Sequence, residues 1–321
     1  MNRGILIACT AALLGFTACA PNGEPDNAAI QVVASITDIG SIVREVGGPE
    51  VSVVSLVPGS ADPHFLDPSP SHLAAVANAD LLVINGMGLE GAWLDALLSA
   101  AGAQRLAGAE GQLRLDTVVA DPIQEEHHEG AAEAEALEEE EEGVQAEGNP
   151  HFLLDPFEGA RAIELVAARL SQIRPEARAT FEANAKRLIA ELGTYLVGAG
   201  VETASELEAA TSTAAAGALP RLVGETRNVI VDHDLWVYVM RRLGWRTVGS
   251  VETAPGAAPT AKHLAALYAT AQEEGVDVVL ASSQVSRETV ETVASQVGAP
   301  LKVLAHQTED RPECDSYLAT V

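Results

Sequence analysis

The sequence predicts an α/β protein of two lobes, each with a mostly parallel sheet flanked by helices, on three observations. Short runs rich in Val, Ile and Leu alternate with helical patterns early in the chain. The same alternation returns near its end. Between the two lies a stretch with helical periodicity throughout. Strands separated by helices pair in parallel, because each crossover returns the chain to the same end of the sheet.

The elements follow in order. Ile30 to Ile36 (IQVVASI) reads as a buried strand, and the helix in DIGSIVREVGG ends at Gly47-Gly48. Val51 to Pro58 is a second strand, SPSHLAAVANA a short helix capped by Ser69 or Ser71, and Asp80 to Gly86 a third strand. The helix EGAWLDALLSAAG closes this lobe. DPFEGARAIELVAARLSQIR opens with Asp155-Pro156 and keeps its apolar residues at helical spacing. A second helix starts at Pro175 and is long enough to bridge two lobes. NVIVDHD, RTVGSV, DVVLASS and LKVLAH are the strands of the second lobe, with TAKHLAALYATAQEEG and SRETVETVASQVG among its helices. The division is a signal peptide at 1–19, a tether at 20–29, an N-terminal lobe at 30–155, a linking helical region at 156–210 and a C-terminal lobe at 211–321.

The first nineteen residues carry Arg3, an apolar run from Ile5 to Phe16 and small residues before Cys19. That is an export signal, too short for a membrane span. Thr17-Ala18-Cys19 resembles a bacterial lipoprotein processing site, with Cys19 as the lipidated residue; ordinary cleavage near Ala20 is the alternative. The chain is therefore placed outside the cytoplasm, anchored to the cell membrane or periplasmic. Of three cysteines, Cys9 is removed and Cys19 acylated, which leaves Cys314 without a disulfide partner.

A net charge of −27 excludes nucleic acid as a partner, since phosphates demand a basic face. Gln124 to Gly148 is dominated by glutamate, holds His127 and His128, and has almost no large apolar residue. Such a segment buries too little surface to fold alone and is expected to be disordered. It reads either as a solvated charge run or as a low-affinity metal loop, because imidazoles and carboxylates are metal ligands.

The chain has eight histidines, and two of them sit in nearly identical words. His64 lies in DPHFLDP (Asp62 to Pro68) and His151 in NPHFLLDP (Asn149 to Pro156). Pro63 and Pro150 stiffen these loops, so little entropy is lost when a ligand is held. His233, in VDHDLW, ends a strand, where α/β sheets bind ligands. His306 closes LKVLAH, while His72 and His263 fall among polar neighbours on helices and read as surface residues. One such histidine is an ordinary loop residue; three at comparable positions form a pattern suited to a metal. With no cysteine pair, no His-Glu-x-x-His and no Gly-x-Ser-x-Gly, the common zinc-protease and serine-hydrolase signatures are absent. A zinc hydrolase would also need a general base and a substrate pocket, for which the sequence has no motif, so the chain is not read as an enzyme.

GSADPHFLDPSPSHL, NPHFLLDP, VDHDLWVYVMRRLGW and the long helix after Pro175 together resemble the metal-binding lipoproteins of bacterial ABC transporters, the zinc-uptake (ZnuA-like) and manganese-uptake proteins. The resemblance runs from Ile30 to the C-terminus. It implies two lobes joined by a rigid helix, one metal in the cleft, and delivery of that metal to a membrane permease by a monomeric, lipid-anchored protein. Carried over, it makes His64 and His151 ligands from the N-terminal lobe and His233 the ligand from the C-terminal lobe. An acidic, His-containing insertion before the second word is typical of the zinc branch. The ion is then Zn²⁺, with Mn²⁺ the alternative; a surface adhesin or zinc buffer is the other reading of the architecture. Binding is expected to weaken as imidazoles protonate, near pH ~6.5 and below. HQTEDRPEC departs from the family's short acidic turn, and the chain stops where relatives continue through one more helix. The fourth ligand stays open among Asp310, Glu309, His306 and water, with Asp310 taken as the assignment.

Overall fold

The computed structural model of the protein describes residues 29–124, 148–214, 216–223 and 225–321. The export signal, Cys19, the tether through residue 28 and the acidic segment 125–147 with His127 and His128 lie outside the described residues.

In the N-terminal lobe, β1 (Ile30–Ile36), β2 (Val51–Val57), β3 (Leu81–Ile84) and β4 (Gln112–Arg114) form a sheet in the order β2-β1-β3-β4, every pair parallel. The crossovers carry α1 (Thr37–Gly47), α2 (Pro70–Asn78) and α3 (Leu94–Ala100). Every residue of β3 is buried, because helices cover both faces of a parallel sheet and leave no polar side. The three residues of β4 are too few to show a period, so that strand could not be read from the sequence.

α4 (Pro156–Ile173) packs on α1 as part of this lobe's core, and α5 (Arg178–Val197) follows after one 3₁₀ turn at Pro175–Ala177. Its 20 residues span about 30 Å at the usual helical rise, and Gly198 ends it in the left-handed conformation at φ 71°. α5 packs on α1 and α4 and leads through α6 (Ala204–Ala210) and α7 (Leu219–Leu222) into the second lobe.

There the pattern repeats. β5 (Asn228–Val231), β6 (Arg246–Ser250), β7 (Val278–Ser282) and β8 (Leu301–Leu304) pair in the order β6-β5-β7-β8, all parallel. α8 (Val237–Leu243), α9 (Ala261–Glu274) and α10 (Arg287–Val297) connect them. Both sheets reverse direction beside their first strand, and the crevice at such a switch point is where α/β sheets take ligands.

The last segment returns to the first lobe. After β8, the Thr308 N–H and hydroxyl both donate to Asp38 Oδ1 at 2.8 and 2.6 Å, and Thr37 Oγ1 donates to the Thr308 carbonyl at 2.6 Å. Burial pushes the Asp38 carboxyl up to about 6, against the two bonds from Thr308. Tyr317 opens α11 (Tyr317–Thr320), lies in the N-terminal core and donates its hydroxyl to the Leu153 carbonyl at 2.6 Å. Gly159 makes room, since a Cβ there would stand 1.8 Å from the Tyr317 hydroxyl. Residues 305–321, grouped by sequence with the C-terminal lobe, thus pack across the boundary. Among the described residues, no helix is long and apolar enough to cross a membrane.

Candidate metal centre

The two repeated words fold alike at their start. Asp62 Oδ1 accepts the His64 N–H at 2.9 Å, and Asn149 Oδ1 accepts the His151 N–H at 2.9 Å. Asp and Asn favour such Asx turns because their short side chains reach the backbone two residues on. The words then diverge. Phe152 is fully buried while Phe65 is 59 % exposed. Asp155 caps α4 by accepting the Phe157 N–H at 2.9 Å, with Pro156 at the first helical position. Asp67-Pro68 starts no helix; Ser69 caps α2 instead, in a reciprocal pair with His72.

His233 follows β5, where Asp232 is pinned by the Ser282 N–H at 2.7 Å. The His151 and His233 loops are joined directly, Asn149 Nδ2 donating to the Asp234 carbonyl at 2.8 Å. Tyr238 of α8 adds its hydroxyl to the Asn149 carbonyl at 2.8 Å.

These loops bring three imidazoles together. His64 Nε2 and His151 Nε2 are 3.4 Å apart, and one ring nitrogen from each of His64, His151 and His233 lies within 4.8 Å of the others. The ring centroids are 5.3, 5.4 and 6.4 Å apart, with the planes tilted 66–70° to one another. His233 Nε2 is buried with no hydrogen-bond partner. Among the described residues, this is the one group of three or more potential ligands close enough to share an ion. Burial pushes the His64 imidazole down to about 4, with Asp62 pulling the other way and His233 adding to the fall. His151 is driven well below its ordinary value by burial and by His64, His233 and His306. Near neutral pH both rings therefore carry free lone pairs, which is the state a metal needs.

The residues after β8 are placed differently. His306 is buried; its Nε2 is 2.9 Å from Gln307 Nε2 and its Nδ1 3.9 Å from Asp310 Oδ2. Burial lowers its pKa to about 4. Asp310 receives the Ser283 hydroxyl at 2.6 Å, and the exposed Glu309 pairs with Arg44 at 3.2 Å. None of the three belongs to the His64–His151–His233 group. His72 and His263 serve their helices: each N–H is accepted by a capping side chain, and His263 Nε2 meets the Ser250 carbonyl at 2.9 Å.

Glu252 was missed in the sequence. Its Oε2 stands 3.9 Å from His233 Nδ1, and burial raises the carboxyl to about 7, with Asp232 and Asp62 adding to the rise. The available signal was its place just past the carboxyl end of β6.

From residue 32 to 321 the sequence matches the zinc-uptake complex component A, periplasmic (ZnuA), family. The chain belongs to that family. It is 23% identical over 275 residues to the high-affinity zinc uptake system protein ZnuA of Bacillus subtilis, covering 86% of this chain and 77% of that one. The manganese-binding lipoprotein MntA of Halalkalibacterium halodurans is 24% identical over 277 residues, 86% of this chain and 78% of the relative. Against the zinc-binding protein AdcA of Streptococcus pyogenes, 22% identical over 277 residues and 86% of this chain, the match spans half the relative's length, 50%. A crystal structure of ZnuA superposes with a TM-score of 0.67 at 26% identity, over 91% of this chain and 96% of that one.

Proposed function

We propose that this family member captures Zn²⁺ outside the cytoplasm through His64, His151 and His233 and passes it to the membrane permease of an ABC transporter. The reading includes export, anchoring through a lipid on Cys19 and action as a monomer. The observation that carries it is the 3.4 Å between His64 Nε2 and His151 Nε2. Imidazole nitrogens at about 2.0–2.1 Å from a tetrahedral ion stand about 3.3–3.4 Å apart, so zinc fits with little movement of either loop. Manganese prefers more oxygen donors, and the nearest carboxylate at His233, Glu252, faces Nδ1.

For the fourth position, placement favours His306 with Asp310 behind its Nδ1. His306 bears electrostatically on His151, and His233 on His306. Glu309 is drawn away by Arg44.

Titration of the metal-free protein against a competing chelator tests the reading. One tight site per chain that prefers Zn²⁺ to Mn²⁺ is expected. His64→Ala, His151→Ala and His233→Ala should each weaken zinc by about 100-fold or more, beyond the loss typical of a supporting residue. His72→Ala and His263→Ala should leave it unchanged. Preference for Mn²⁺, or a tight site indifferent to the three histidines, would overturn the proposal.

A further inference from the structure

The two peptide bonds that lead into His64 and His151 are each held at both ends. On the N–H side stand the Asx turns of Asp62 and Asn149. On the carbonyl side, both partners come from one loop, Asn85 to Trp93. Asn85 Nδ2 donates to the Pro150 carbonyl at 2.8 Å, and Trp93 Nε1 donates to the Pro63 carbonyl at 3.3 Å. Proline has no N–H, so its carbonyl is the main-chain polar group through which the residue before each histidine is fixed. Asn85 and Trp93 are both buried, so water does not compete for these bonds.

The loop that supplies the donors is itself built for rigidity. Gly86, Met87 and Gly88 have φ of 90°, 50° and 77°, three left-handed residues in a row, and Met87 has no glycine's freedom to be there. Two buried carboxylates hold that shape. Glu90 accepts the N–H groups of Asn85 and Gly86 at 2.8 and 3.1 Å, and Asp116 accepts the Met87 N–H at 3.0 Å. Strained backbone of this kind persists where the surroundings over-determine it and concentrates at functional sites. Neither Asn85 nor Trp93 is one of the clustered ligands, so the loop acts on the histidines through the backbone that carries them.

The geometry points to Asn85 and Trp93 as positioning residues that set the spacing of the His64 and His151 imidazoles, and with it the preference for a tetrahedral ion over one of higher coordination number. This rests on the metal-site reading above. With either anchor gone, one histidine-bearing peptide can rotate. The pair then no longer favours the nitrogen spacing of a four-coordinate ion, while an ion that accepts more and looser ligands loses less.

The test uses the full chain with its own ligands intact, comparing wild type, Asn85→Leu and Trp93→Phe. Three quantities are measured: Zn²⁺ affinity, Mn²⁺ affinity, and the intense visible absorption of tetrahedral Co²⁺. Wild type is expected to give the tetrahedral Co²⁺ band. Asn85→Leu should weaken Zn²⁺ by about 10–100-fold, as when a supporting partner of a metal ligand is removed, with Mn²⁺ changed less and the Co²⁺ band reduced. Trp93→Phe, which keeps the ring and loses a longer bond, should do the same to a smaller degree. If Asn85→Leu fails to fold, Trp93→Phe and Asn85→Ser carry the comparison. Variants that keep the wild-type band and the wild-type Zn²⁺-to-Mn²⁺ ratio overturn this inference and leave the metal site standing. So does an equal loss for both ions with the band intact, which is the mark of a merely structural role. A wild type with neither a tight zinc site nor a tetrahedral band overturns the metal-site reading itself.

Discussion

Arg242 of α8 grips Asp155 at the start of α4, its Nε at 3.0 and 2.9 Å from the two carboxylate oxygens and its Nη2 at 2.8 Å. Asp155 also caps α4, so one carboxylate ties the helix after the His151 word to the helix after His233. Glu208 accepts a second bond from Arg242 at 2.9 Å, and the guanidinium carbon lies 3.8 Å over the Phe157 ring. Burial still pushes the Asp155 carboxyl up against the pull of Arg242, which shows how strongly the site depends on its cation. Removing that cation should therefore be costly.

Arg242→Ala is expected to destabilise the protein by about 3 kcal/mol, because it leaves a buried carboxylate uncompensated. Denaturant unfolding of the metal-free protein measures it. The double variant Arg242→Met with Asp155→Asn should recover most of the loss, since the neutral amide keeps the helix cap and no charge stays buried. A double variant as unstable as the single one would show that the pair matters through packing over Phe157 instead.

Acid should act on zinc binding in two separate steps. His64 and His306 sit near 4 and His151 well below its ordinary value, so at pH 6 these rings are already neutral. Glu252, near 7, is then mostly protonated. A lowered histidine pKa delays competition by protons until the pH falls toward about 4–5; a raised carboxyl pKa means a nearby dication expels one proton below about 7. Glu252 should thus contribute a fall in zinc affinity of up to about tenfold per pH unit below pH 7, with His64 and His306 adding to it only as the pH nears about 4. Calorimetry at pH 6 in buffers of different ionisation enthalpy should count about one proton more released per zinc by the wild type than by Glu252→Gln. Release of two or three protons at pH 6 from the Gln variant would mean that the imidazoles keep their ordinary pKa and titrate where the sequence alone suggested.

What was legible in the sequence had local causes. A Pro before a histidine and an Asx residue before the Pro make a rigid loop from three neighbouring residues, so both words could be read in place. The central strands were legible because every residue of β3 and β7 is buried and apolar-rich. Long-range features were not legible. Nothing in Asn85 or Trp93 announces that their donors end on Pro150 and Pro63, since those bonds span 65 and 30 residues. Tyr317 reads as a C-terminal residue until the fold carries it to Leu153, 164 residues away. Asp67-Pro68 starts no helix, and the reason is local. It copies Asp155-Pro156, but Ser69-Pro70 one step later offers a better cap with His72 closing the box.

The ends of the acidic segment are already held together. The Asn149 N–H donates to the Ile123 carbonyl at 2.6 Å, and Tyr238 hydrogen-bonds on both sides of that junction, accepting the Ile123 N–H at 3.3 Å and donating to the Asn149 carbonyl. Replacing residues 125–147 with a flexible linker of about five Gly and Ser residues should therefore leave the loop of His151 undisturbed. Zinc titration of that variant is expected to keep the tight site and to lose weaker additional binding, the contribution assigned to His127 and His128. Loss of the tight site would make one of those two histidines a direct ligand.

The fourth position separates three neighbouring residues by what each already touches. Glu309 is exposed and paired with Arg44, an arrangement whose loss changes stability by no more than about 1 kcal/mol, so Glu309→Gln should leave zinc affinity unchanged. His306 is buried with its Nδ1 unbonded and Asp310 facing it at 3.9 Å. If His306 turns its Nε2 from Gln307 to the ion, Asp310 becomes the carboxylate behind a metal-bound histidine and holds its tautomer. His306→Ala and Asp310→Asn should then both weaken zinc, Asp310→Asn by about tenfold. Four neutral imidazoles would leave the centre with the ion's full double charge, and Asp62, Asp232, Glu252 and Asp310 stand nearby to offset it, as buried charge requires. The decisive comparison is the double variant. If Asp310 acts through His306, adding Asp310→Asn to His306→Ala should cost almost nothing more. Additive losses would instead make Asp310 a ligand in its own right, the assignment drawn from the sequence, with His306 a separate support.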